Sequence, residues 1–245
     1  MDQAAIARAA ALLIDARQTG RLLDALPASC KPETLEDAFA IQDATIAALG
    51  ETVAGWKVSI VDGRAVYGAI LASRVFDSGA HIEAAKMPLL GVEAEIAFRF
   101  ARDLPAGKYS YADVAEAVTA FAAIEIVDSR FRTYPDLPIM DRNADCVSNG
   151  GFVRGPAAAD WRAHDLANIA VTLTIGGQEI VRRNGGHPAG DPLLPAVALV
   201  NALPGGVKAG QIVTTGTYTG LNFAKPGQAV AASFAGFGAV EVSFV

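Results

Sequence analysis

The sequence predicts an α+β fold, helical over residues 1–52 and strand-rich over residues 53–245. Two observations carry this. The first fifty residues repeat apolar positions at helical spacing, whereas from Val53 short β-type runs follow one another with only two helices between them. Strands and helices do not alternate regularly, which fits neither a Rossmann nor a TIM architecture. At 245 residues the chain suits one large domain, or one domain with a small appendage.

Residues 3–26 carry Ile6, Ala10, Leu13, Ile14, Leu22, Leu23 and Leu26 at helical spacing, and Gly20 is expected to divide them into two helical pieces. Thr34 caps a second helix, with Asp37 three residues later and Glu36 adding early negative charge. Gly50 suits its C-terminal end. Strands are expected at 56–60, 93–100, 124–127, 151–154, 169–175, 178–182, 211–215, 229–234 and 239–244. Gly176-Gly177 marks a hairpin between two of them. Ser110 caps a helix expected over 111–122, with Asp113 in its first turn, and an apolar helix is expected over 193–203. No internal repeat or low-complexity segment is present.

Apolar residues make up 52% of the chain and charged residues 19%, enough for a substantial core and too ordered a composition for disorder. The net charge of −6 argues against nucleic acid or an anionic membrane as partner, while small anionic substrates remain compatible with it. Cys30 and Cys146 form no disulfide framework, as expected in a reducing cytoplasm. No signal-peptide pattern is visible at the N-terminus, and no apolar stretch reaches the length of a membrane span.

The chemistry centres on three acidic residues. Glu93 and Glu95 lie in the apolar run Gly91-Val-Glu-Ala-Glu-Ile-Ala-Phe98, and Glu125 is the one polar residue in Ala122-Ala-Ile-Glu-Ile-Val127. Residues two apart on a strand share a face, so Glu93 and Glu95 project side by side. One explanation is a solvated outer face of a sheet. The other is a cation holding like charges together. A third carboxylate from another strand completes an all-oxygen site suited to Mg²⁺ or Mn²⁺. A charge as isolated as Glu125 weakens the first reading and leaves the two evenly balanced, because buried carboxylates are rare unless paired.

Other residues leave two readings open. Lys57 in Gly55-Trp-Lys-Val-Ser59 is either a surface lysine or a group beside the cation that moves protons or holds a substrate carboxylate. Arg130, in Asp128-Ser-Arg130, pairs either with Asp128 or with a ligand carboxylate. The polar loop 143–151, the turn-rich stretch 184–192 with His187, and the hydroxyl-rich run 214–220 are either plain connections or walls of a pocket. Neither a Gly-x-Ser-x-Gly nor a phosphate-loop pattern occurs.

Taken in order, Ala40-Ile-Gln42, Gly55-Trp-Lys57, the paired-Glu strand, Ile124-Glu-Ile-Val-Asp-Ser-Arg130 and Gly186-His-Pro188 resemble the fumarylacetoacetate hydrolase superfamily. Within it they resemble the 2-keto-4-pentenoate hydratase and 4-oxalocrotonate decarboxylase branch. The resemblance implies a mixed β-roll or barrel-like catalytic domain behind a small helical N-terminal region. It implies Glu93, Glu95 and Glu125 as ligands of Mg²⁺ or Mn²⁺, chelated in turn by the 1-carboxylate and 2-keto oxygen of a substrate. Lys57, Asp145 and Ser148 become the catalytic candidates. Arg130, His187, Pro188 and Thr217 become the substrate-binding ones.

The chain departs from the branch pattern at Asp145-Cys-Val-Ser148 and at Gly185-Gly-His-Pro188, departures that bear on substrate rather than metal. The expected function is a cytoplasmic, homo-oligomeric lyase acting on a small 2-keto acid, foremost a 2-hydroxypenta-2,4-dienoate hydratase. The alternatives are a 2-oxo-enedioate decarboxylase, an acylpyruvate hydrolase, and a non-catalytic partner subunit. Hydrolysis ranks lower because His81, His164 and His187 all follow the place where the superfamily's hydrolases carry a His-Glu pair.

Overall fold

The computed structural model of the chain describes residues 1–245. Helix α1 (Gln3–Thr19) starts at Asp2, whose carboxylate accepts the Ala5 N–H at 2.7 Å, and ends at left-handed Gly20. Helix α2 (Leu35–Leu49) opens with the Thr34–Asp37 capping box and closes at Gly50. The helical piece expected after Gly20 does not form. Instead Leu23 donates its N–H to the Arg130 carbonyl and accepts from the Arg132 N–H, at 2.8 and 2.9 Å, so the segment is held extended.

There follow β1 (Val53–Val61), β2 (Arg64–Leu71), β3 (Val75–Asp77), β4 (Ala80–Ile82), β5 (Gly91–Phe100), α3 (Tyr111–Ala117), β6 (Val118–Val127) and α4 (Ile139–Ala144). The chain closes with β7 (Asn149–Ala157), β8 (Ala170–Ile175), β9 (Gln178–Asn184), α5 (Leu193–Ala202), β10 (Ile212–Thr217), β11 (Asn222–Phe223), β12 (Ala229–Phe234) and β13 (Gly238–Phe244). The helix expected over 111–122 stops at Ala117. From Val118 the chain is strand, because pairing with both β5 and β7 outweighs the helix propensity of its alanines.

Eight strands form one curled sheet in the order β2-β1-β10-β5-β6-β7-β3, with β11 added on β5; β4-β13-β12-β8-β9 form a second. The β8–β9 pair is the hairpin expected at Gly176-Gly177. The two sheets share one core, in which Ile96, Phe98, Ile124 and Val153 meet Leu173, Val230, Phe234 and Val242. Burying each such side chain contributes ~1.5–3 kcal/mol. No helix is long and apolar enough to cross a membrane.

Alternation along β5 and β6 positions the acidic residues. Val92, Ala94, Ile96, Phe98 and Phe100 enter the large core, as do Ala120, Ala122, Ile124 and Ile126. The opposite face is also covered: Ala97, Phe121 and Ala123 pack there with Ile70, Phe152 and Ile212. Glu93, Glu95 and Glu125 continue this second face, so they sit in the interior rather than on a solvated flank. A separate small core joins α1 and α2 to Phe131 and Ala144, and so ties the N-terminal helices to the segments flanking the acidic cluster.

Candidate metal centre

Antiparallel register sets Glu93 directly opposite Glu125, and Glu95 opposite Ala123 one step further along. Each of the three side chains has a carboxylate oxygen within 4.8 Å of the others. Glu95 and Glu125 are each 1% exposed. Like charges facing across a strand pair repel, and here burial adds to the repulsion. Two strand neighbours supply donors. Thr214 on β10 hydrogen-bonds the Glu95 carboxylate, which also accepts the Gly216 N–H at 3.0 Å. Asn149 at the start of β7 donates to Glu125 at 3.0 Å.

Lys57 reaches the same cluster from β1, with its Nζ 2.6 Å from Glu125 Oε1. Its side chain is only 15% exposed, so it is no surface lysine. Burial opposes its charge, but Glu125, Glu93 and Glu95 outweigh burial and hold its pKa above the ordinary lysine value. Burial, with Glu125 adding repulsion and Lys57 and Arg142 opposing, pushes Glu93 up to about 7. Burial and the repulsion of Glu125 and Glu93 push Glu95 up to about 8, against its two hydrogen bonds. Three converging carboxylates, with one lysine to compensate them, are an oxygen donor set that fits a hard divalent cation.

The metal-free protein is therefore expected to lose stability as pH rises. In the folded state Glu93 and Glu95 keep their protons well above 4.5, where the unfolded chain releases them. The stability linked to the neutral carboxyls is complete below that pH. It is lost as pH rises through about 7 and about 8. His187, depressed by burial to about 4, acts in the opposite sense but only below its ordinary 6.5. Between pH ~6.5 and ~8, chelator-treated protein should thus lose ~2 kcal/mol, seen as a fall in Tm of roughly 5 °C. A flat or rising Tm across that window would contradict these environments.

The carboxylates form the floor of a cavity of about 240 Å³. Lys57, Thr214, Thr217 and Pro188 line it, with Val58, Val66, Val127 and Val147 as apolar walls and Ser59, Tyr134 and Arg142 among the remaining lining residues. Four sequence-derived candidates lie outside this lining. Asp145 is buried and accepts Arg130 Nε at 2.6 Å, the Arg130 N–H at 3.0 Å and Arg17 at 3.3 Å. Arg130 also donates to the Asn149 carbonyl at 3.1 Å. The pair braces the turn between α4 and β7. Ser148 is buried in that turn, and its hydroxyl has no partner. His187 accepts the Ala189 N–H at Nδ1, leaving Nε2 to donate to the Thr215 carbonyl at 3.0 Å, and so supports the β10 end from behind.

The braced turn is unusual backbone. Cys146, Val147 and Ser148 are all left-handed, with φ of 51°, 53° and 57°, at a cost of about 1–2 kcal/mol each. Gly68 on β2 makes room for it, since a Cβ there would lie 2.2 Å from the Cys146 carbonyl oxygen. The strain sets Val147 on the cavity wall and starts β7 at Asn149, beside Glu125. Asn149 and Thr214 fall inside segments singled out from sequence. Tyr134 and Arg142 do not, for each stands alone in an unremarkable stretch.

Comparison with known proteins covers the whole chain. The family model for the fumarylacetoacetate (FAA) hydrolase C-terminal domain matches residues 66–245. A 2-keto-4-pentenoate hydratase of Burkholderia vietnamiensis is 33% identical over 99% of this chain and 98% of its own. One from Paraburkholderia phymatum is 34% identical over 96% and 95%. Among solved structures, 4-oxalocrotonate decarboxylase from Pseudomonas putida G7, complexed with magnesium and adipate, superposes with a TM-score of 0.89. It is 22% identical over 100% of this chain and 99% of that one, which establishes the shared fold.

Proposed function

Since the chain belongs to the fumarylacetoacetate hydrolase family, we propose that it is a divalent-metal-dependent lyase acting on a 2-keto acid, a hydratase of the 2-hydroxypenta-2,4-dienoate type. The observation that carries this is the convergence of Glu93, Glu95, Glu125 and Lys57 on one cavity. The relatives named 2-keto-4-pentenoate hydratase, matched over almost their full length, support the choice of substrate class. In this proposal residues 53–245 form the catalytic domain, residues 1–52 buttress it, and the protein works as a homo-oligomer.

Glu93, Glu95 and Glu125 would hold Mg²⁺ or Mn²⁺. When bound, the cation supplies Lewis-acid polarisation of the substrate's 2-keto group. Lys57 moves the proton at the carbon next to that group. Its charge in the metal-free protein comes from the carboxylates beside it. Once their charge is compensated, burial is left as the main influence and favours a neutral amine able to accept a proton. Thr217 and Pro188 contact the substrate directly. Arg130, Asp145, Ser148 and His187 position the walls that those residues stand on. No histidine lines the cavity, so the His-Glu pair of the superfamily's hydrolases has no counterpart among the lining residues.

Incubating the Mg²⁺-loaded protein with 2-keto acids that differ beyond C4, followed by product analysis, tests the assignment. Addition of water across a double bond supports it; release of CO₂ or a split carbon chain in its place contradicts the hydratase choice.

A further inference from the structure

A second cavity, of about 340 Å³, opens where the end of α1 meets the turn between β2 and β3 and the segment after β6. It shares no lining residue with the metal centre. Arg17, Arg74, Lys86 and Arg130 line it, with Asp128 as the one acidic lining residue. In a chain of net charge −6 this is a local concentration of positive charge.

The anions within reach do not match it. Lys86 pairs with exposed Glu83 at 2.8 Å. Arg130 binds Asp145 at 2.6 Å and stands 3.5 Å from Asp128. Arg17 shares Asp145 at 3.3 Å, yet its side chain is only 10% exposed and its Nε is buried with no hydrogen-bond partner. Arg74 is half-buried and forms neither an ion pair nor a side-chain hydrogen bond. Three guanidiniums thus share two carboxylates. Burial, and then repulsion from Arg130 and Arg74, holds the Arg17 pKa below its ordinary value. The carbonyl end of α1 offsets part of the excess charge, but one guanidinium remains without an anion. Ser129 adds a neutral donor: it is buried, its oxygen accepts the Phe131 N–H at 3.1 Å, and its own proton is free.

Buried donors without acceptors favour a ligand that supplies them. Here the donors Arg17, Arg74 and Ser129 come from three separate segments. A carboxylate is planar and matched by a single guanidinium, whereas a phosphate presents three acceptor oxygens to donors from several directions. The cavity volume leaves room for a small organic part beside the phosphate.

We propose that this cavity is an anion site that binds a phosphate group, as free phosphate or as the head of a small phosphate monoester. The site stands apart from the catalytic assignment and does not depend on it.

The test titrates inorganic phosphate and glycerol 3-phosphate into full-length, chelator-treated protein, whose acidic cavity repels both. Chloride at equal ionic strength is the control. Wild type is expected to bind phosphate in calorimetry and to melt higher in its presence. R74Q should weaken phosphate binding about 10-fold or more, and R74K should retain part of the affinity. Without phosphate, R74Q should melt at or above wild type, because Arg74 bonds nothing in the chain and its repulsion is removed. Glycerol 3-phosphate binding as tightly as phosphate, or more tightly, identifies a monoester as the ligand; weaker binding identifies free phosphate. The proposal is overturned if wild type binds neither, if chloride stabilises it equally, or if R74Q keeps the full phosphate affinity. An R74Q variant that melts below wild type without phosphate would also overturn it, by giving Arg74 a structural role.

Discussion

Glu95→Gln is expected to weaken Mg²⁺ or Mn²⁺ binding on the order of 10²-fold or more, because one of the three proposed carboxylate ligands becomes a neutral amide. The fold should survive. The carboxylate oxygen that accepts from Thr214 and Gly216 becomes an amide oxygen that accepts from the same two donors. Metal-free E95Q should also melt higher than metal-free wild type at pH 8, since the carboxyl that burial pushes up to about 8 no longer has to ionise. Calorimetric titration and a melting curve read both effects on one sample. Unchanged cation affinity would remove Glu95 from the site.

Lys57→Met is expected to lower kcat by about 10²-fold or more while cation binding persists. Methionine keeps the length of the side chain and its contact with the cavity wall, but carries no proton. The substitution leaves Glu125 without the ammonium 2.6 Å away, so metal-free K57M should be less stable than wild type, and added Mg²⁺ should restore part of the loss. Turnover close to wild type would reduce Lys57 to a charge partner of Glu125 with no part in proton transfer.

Much of this site is legible in the sequence because a strand fixes side-chain direction. Two glutamates separated by one residue must share a face, and Glu125 among apolar neighbours has no solvated face to occupy. The fold confirms both inferences through one register, with Glu93 opposite Glu125. Helix caps were equally readable: Asp37 and Asp113 close capping boxes at Thr34 and Ser110. Local chemistry decides such features, and local chemistry is what a sequence displays.

What sequence could not display depends on contacts distant in the chain. The alanine-rich stretch after Val118 reads as helix until β5 and β7 pair with it on either side. Arg130 reads as a substrate-binding candidate and Asp145 as a catalytic one, and no motif shows that the two are bonded to each other, 15 residues apart. Strands β3 and β4, three residues each, are too short to show a period. Tyr134 and Arg142 belong to no motif, and α4 and the preceding loop bring them to the cavity. A side chain that earns its role by position alone leaves no pattern to recognise.

Oxalate tests the central claim most directly. It is planar, with two oxygens placed to chelate one cation, and so resembles the enol form of a 2-keto acid. If three carboxylates hold a cation that polarises the keto group, oxalate should bind only when Mg²⁺ or Mn²⁺ is present, and more tightly than pyruvate, as transition-state-like ligands do. Three bare carboxylates would repel it. Titration of oxalate and pyruvate into metal-loaded and chelator-treated protein gives the answer: metal-dependent oxalate binding with a lower Kd than pyruvate is the predicted result, and oxalate binding that persists without metal, or pyruvate binding as tightly, would contradict it.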